Sequence, residues 1–77
     1  MNIYWCYERG NWGGLFVVAK TRGRAKEIFS AEVDCEYTEV RTNIYRRGVC
    51  EITEDVIDEG SPLLEKYGLE YAEEEEE

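Results

Sequence analysis

Three consecutive stretches decide the fold. They are Asn2-Ile3-Tyr4-Trp5-Cys6-Tyr7-Glu8-Arg9, Gly10-Asn11-Trp12-Gly13-Gly14 and Leu15-Phe16-Val17-Val18-Ala19-Lys20. The first is dominated by aromatic and β-branched residues, which suit a pleated, half-buried surface. The second holds three glycines in five residues, which marks a turn. The third is apolar on both of its alternating faces. Two strand-like runs joined by a glycine-rich loop predict a hairpin whose tip carries Trp12.

Outward from the hairpin, Thr21 is an N-cap candidate, because its hydroxyl can accept from the free N–H groups of a first helical turn. Ala25, Ile28 and Phe29 follow at the spacing of one helical face, and the helix should end near Ala31 to Val33. Glu36 to Arg46 then reads as a third strand, with Thr38, Val40, Thr42 and Ile44 alternating against Tyr37, Glu39, Arg41, Asn43 and Tyr45. The Val40/Ile44 face is expected to meet the helix. The order β-β-α-β predicts an α+β domain: a three-stranded antiparallel sheet, spatial order 2-1-3, with one helix on one face. Thr53-Glu54-Asp55 reads as the cap of a short turn ending at Gly60. Ser61-Pro62-Leu63-Leu64-Glu65-Lys66-Tyr67-Gly68 predicts a short C-terminal helix, with Ser at the N-cap, Pro at the first position and Gly just past the end. Residues 1–71 are expected to form the single domain, and 72–77 a disordered acidic tail, since a block of like charges has no apolar surface to bury.

The charge is unevenly distributed. The net charge is −9, yet residues 1–50 hold eight basic side chains against six acidic ones, and residues 51–77 hold Lys66 against twelve acids. No stretch approaches the roughly 20 apolar residues of a membrane span. The N-terminus has no cationic segment leading into an apolar run, which favours the cytoplasm over secretion. Cys6, Cys35 and Cys50 are odd in number and without paired spacing, so neither a disulfide framework nor a zinc site is expected. There is no histidine, the glycines fit no phosphate loop, and most acids lie in a solvated segment, so no enzyme, metal or cofactor is expected.

Three constellations could carry binding. Arg22, Arg24 and Lys26 occupy the helix start, where free N–H groups and cations would converge on an anion. Arg41, Arg46 and Arg47 add charge on the third strand. This basic group reads as a solvated helix start, as a phosphate or acidic-peptide site, or as a dock for the chain's own acidic segment. Tyr4, Trp5, Tyr7, Tyr37 and Tyr45 lie on strands 1 and 3, where they form either a stacking platform for single-stranded nucleic acid or a surface covered by the Leu63/Leu64/Tyr67 helix. Glu54, Asp55, Asp58 and Glu59, following Glu51, are spaced carboxylates that either imitate phosphates in a cationic groove or only confer solubility.

The runs Phe16 to Lys26 and Ser61 to Gly68 resemble small proteins encoded by phages and prophages of Gram-positive bacteria. That class includes inhibitors of host defence, anti-CRISPR proteins among them. The resemblance implies a host protein partner in a nucleic-acid-handling complex; the spaced carboxylates Glu54, Asp55, Asp58 and Glu59 and the hairpin-tip Trp12 are the residues expected to meet it. Direct nucleic-acid binding through the six basic residues is the alternative.

Overall fold

The computed structural model describes residues 1–11 and 13–69. The strands β1 (Asn2–Glu8) and β2 (Gly14–Ala19) form the expected hairpin, with Trp5 opposite Phe16 and Tyr7 opposite Gly14. Helix α1 (Arg22–Val33) begins at the expected cap: the Thr21 hydroxyl accepts from the Arg24 amide at 3.1 Å. It stops at Asp34, whose backbone is left-handed (φ 58, ψ 50) and whose N–H bonds to the Ser30 carbonyl. β3 (Val40–Arg46) pairs antiparallel with β1, and α2 (Pro62–Lys66) is capped by the Ser61 hydroxyl.

Two expectations need correction. The sheet has four strands, not three, in the order β3-β1-β2-β4, where β4 is Asp55–Ile57 paired antiparallel with β2. The first three strands keep the expected 2-1-3 arrangement, and β4 is added beyond β2. β2 is apolar on both faces and needs a neighbour on its outer side, but β4 offers only Val56 and Ile57, too few to show a period of two. The segment from Thr53 to Asp55 therefore enters a strand rather than capping a turn. The second correction concerns Glu36 to Glu39. Residues Tyr37–Glu39 form a 3-10 turn, closed by the Glu39 amide on the Glu36 carbonyl, and the strand starts only at Val40. The boundary at 71 and the tail 72–77 lie outside the described residues.

The sheet has a core on each face. On one, Ala25 and Phe29 of α1 pack on Tyr4, Cys6, Val17, Ala19 and Val40, with Ile44 half-buried beside them. Phe29 is 3% exposed, and truncating such a phenylalanine to alanine costs about 3–5 kcal/mol. On the other, Val49, Leu63, Leu64, Tyr67 and Leu69 cover Ile3, Phe16, Val18 and Ile57. Among the described residues no helix is long and apolar enough to cross a membrane.

The two sheet edges end differently. The Arg9 amide bonds to the Glu39 carbonyl at 2.8 Å, and the pairing register runs unbroken from there to Tyr4↔Ile44. Antiparallel pairs alternate between bonded and non-bonded. Arg41 and Asn43 therefore turn their backbone groups to β1, while Val40, Thr42 and Ile44 turn theirs outward. On β4 the same alternation leaves Val56 facing outward, and its N–H is taken by the Asp55 carboxylate at 2.7 Å. β3 has a comparable cap at one point only, where the Arg41 guanidinium donates to the carbonyls of Thr38 (3.0 Å) and Val40 (3.2 Å).

Candidate functional site

At the helix start, Arg24 is already paired within the chain. Arg24 donates through Nε to Glu54 at 2.8 Å and through a terminal nitrogen to Glu27 at 3.0 Å. The other Glu54 oxygen accepts from the Lys20 amide at 3.1 Å. The chain's own acidic segment thus docks on the basic helix start, one of the three arrangements the sequence leaves open. The hydrogen bond from Arg24, followed by that from the Lys20 amide, holds the Glu54 carboxyl below the ordinary glutamate range. Lys26 lies 5.6 Å from the centre of the Tyr37 ring, and Arg22 makes no ion pair among the described residues.

The remaining cations do not join this group. Arg41 is folded onto the β3 backbone, and Arg46 sits 5.8 Å from the Tyr67 ring centre. Arg41 and Arg46 stand on the β3 edge, while Arg24 is tied to the segment leading into β4.

The acidic run is largely engaged in local structure. Besides Glu54, Asp55 caps Val56, and Asp58 accepts from the Gly60 amide at 3.0 Å within its own turn. Glu51 accepts from Lys66 at 2.7 Å and from the Tyr67 hydroxyl at 2.9 Å, which ties the loop before β4 to α2. Those two bonds, the one from Lys66 first, hold its carboxyl low. Glu59 is exposed and makes no ion pair among the described residues. Of the four acids, Glu54 is half-buried against Arg24 and the Lys20 amide, while Asp55, Asp58 and Glu59 are exposed. Trp12 lies outside the described residues.

The aromatic residues divide as strand alternation requires. Tyr4 is buried under α1, while Trp5, Tyr7 and Tyr45 lie on the opposite face. Phe16 ties that face together through edge-on contacts, with ring centres 4.8 Å from Trp5 and 4.9 Å from Tyr45. The C-terminal segment covers the side nearer β2 and β4. Among the described residues nothing covers the part around Tyr45: Tyr45 is 51% exposed, Asn43 is exposed and Tyr7 is half-buried. An open recess of about 480 Å³ lies next to it, lined by Trp5, Tyr7, Gly10 and Asn11. Gly14 leaves room for Trp5 here: a Cβ at that position would run into the Cys6 carbonyl oxygen and stand 2.8 Å from the Trp5 ring. Tyr37, expected on the third strand, instead stands on the 3-10 turn and faces Lys26.

A second cleft, about 270 Å³, opens on the α1 side between the hairpin end and the last turn of the helix, lined by Leu15, Phe29 and Val33 with Glu8 at its rim. The thiols have no common site. Cys6 is buried, with its pKa pushed up to about 12 by that burial, Cys35 is half-buried and Cys50 is exposed. No group of three metal-ligating side chains converges among the described residues. Sequence reasoning missed the open β3 backbone and the half-covered aromatic face, because which half α2 covers depends on a contact between segments about 50 residues apart.

No family model, no curated protein and no solved structure matches the chain.

Proposed function

We propose that this is a non-catalytic binding protein whose uncovered aromatic half-face docks on a host protein, a component of a nucleic-acid-handling complex. This is the inhibitory, phage-encoded class that the sequence resemblance implies, acting in the bacterial cytoplasm. The observation that carries the reading is the uncovered side of the second sheet face. Rigid aromatic side chains there, held by edge-on contacts to Phe16, offer contact area at low entropic cost. The net charge of −9 would steer the chain toward a cationic partner from beyond contact distance, with Glu59 the best placed of the acids near the core. Two facts support the non-catalytic part. Among the described residues no charged side chain is buried, so no carboxylate is strongly desolvated as acid–base work requires. The most buried thiol is held protonated rather than as a nucleophilic thiolate.

The test is an affinity capture from a Gram-positive bacterial lysate, run in parallel with wild type and Tyr45→Ala. A nuclease or nucleic-acid-guided complex retained by the wild type and lost by the variant is the expected result. Equal retention by both, or capture of proteins unrelated to nucleic acid, overturns the reading. A second reading has its own observation: Tyr7 and Tyr45 share a face with Arg41, the combination that holds single-stranded nucleic acid by stacking and charge. Retention of a single-stranded oligonucleotide by the pure protein, weakening steeply with salt, would favour it.

A further inference from the structure

We infer that β3 is a self-pairing edge: two copies of the chain join antiparallel along β3 about a two-fold axis at Asn43, making one continuous sheet. The inference rests on backbone geometry and not on the partner proposed above.

The two edges of the sheet set up the argument. β4 is three residues long and its outward N–H is taken by Asp55. β3 is seven residues long, and the outward N–H and C=O of Thr42 and Ile44 meet no partner among the described residues. An open row of this kind is a template for another strand. The occupant and the register follow from the side chains. Outward groups belong to Val40, Thr42 and Ile44, so a two-fold axis can fall at Arg41, Thr42, Asn43 or Ile44. An axis at Arg41 sets that arginine against its own copy, and an axis at Ile44 carries the ladder into the register shift between Ile44 and Arg46. Like charges directly opposite are unfavourable. An axis at Thr42 requires the Val40 carbonyl, which Arg41 already caps. An axis at Asn43 avoids all three conflicts. Thr42 then pairs with Ile44 of the second copy, and each such pair exchanges both of its hydrogen bonds. Arg41 then comes beside Tyr45 of the second copy, a cation next to an aromatic ring. The ladder is bounded by the Arg41 cap on one side and by the register shift beyond Ile44 on the other. The two uncovered aromatic half-faces come side by side on one surface.

The register makes a sharp experiment. Asn43 would stand opposite its own copy as a non-bonded pair, with Cα atoms about 4.5 Å apart, within the span of a disulfide. Asn43→Cys is made in a Cys35→Ser, Cys50→Ser background, alongside Glu32→Cys on the exposed side of α1 as a control. Under a glutathione redox buffer, Asn43→Cys is expected to form a covalent dimer at least tenfold faster than the control. Sedimentation equilibrium of the same background without added cysteine should show a mass that rises with concentration from 9.0 kDa toward twice that value. Thr42→Pro, which removes one outward N–H, should weaken the association at least tenfold. A mass fixed at the monomer value up to millimolar concentration overturns the inference. So does an Asn43→Cys rate equal to that of the control, and so does an open edge filled by a different protein while the chain stays monomeric.

Discussion

Replacing Gly14 by alanine tests whether the aromatic face is built as described. A Cβ at this position would run into the Cys6 carbonyl oxygen and lie 2.8 and 3.0 Å from two atoms of the Trp5 indole. The indole can tilt away, but the carbonyl belongs to β1, the strand paired on both sides in the sheet. Relief therefore requires a backbone shift in the middle of the structure. Small-to-large changes of this kind cost about 1–3 kcal/mol. In a domain of this size each kcal/mol lowers Tm by about 4–8 °C, so a fall of about 5–20 °C is expected. Gly13→Ala is the internal control, since a Cβ there meets nothing within 4 Å. It should leave Tm unchanged or raise it slightly, by restricting the unfolded chain. Thermal melts followed by circular dichroism give both values, and tryptophan emission reports whether the Trp5 ring has tilted. A Gly14→Ala melt within about 2 °C of wild type would refute the close approach of Trp5 to the β2 backbone, and with it the account of the recess beside Tyr7.

Other outcomes follow from single contacts. Glu54 has a carboxyl held low in the folded state, so its contribution is present at neutral pH and is lost as pH falls below the ordinary glutamate value of about 4.3. Glu54→Gln should therefore flatten the acid limb of the stability curve and speed hydrogen exchange at the Lys20 amide, and an unchanged acid limb would count against the Glu54 contacts. Asp34 carries a left-handed backbone at the end of α1, where glycine is unstrained, so Asp34→Gly should stabilise by about 0.5–1 kcal/mol in urea melts. With a thiol reagent at pH 8, Cys50 should react first and Cys6 only on unfolding, because Cys50 is exposed and burial holds Cys6 protonated. Early labelling of Cys6 would place α1 further from the sheet than described.

Local signals were the legible part of the fold. Thr21, Ser61 and Pro62 act within one turn of their own position: Thr21 and Ser61 cap the helices they announce, and Pro62 opens the second. The hairpin and the side on which each β1 residue falls follow from period-two alternation, as do Val40 and Ile44 beneath α1. What sequence could not show depends on distant pairing. β4 has two apolar residues, and only the two-sided demand of β2 makes it a strand. The acids looked like a charged surface because side-chain-to-backbone bonds leave no periodic trace. Glu54 reaches an amide 34 positions away, and Asp55 serves an N–H whose need for a partner exists only once β4 is an edge. The pairing of Arg24 with Glu54, 30 positions away, likewise leaves no local sign.

The carboxylate of Asp55 has a consequence for how far the molecule can associate. A sheet with two open edges can add neighbours in both directions and grow into a fibre. Here the β4 side is closed by a side chain already hydrogen-bonded to the outward amide, and that side chain carries a charge that an incoming strand would have to desolvate. Growth is therefore one-directional and stops after a single step, because a pair joined through β3 presents β4 at both of its ends. Neutralising that position, as Asp55→Ala would, removes the stop. It converts a terminating assembly into one able to propagate, with turbidity at high concentration as its visible sign.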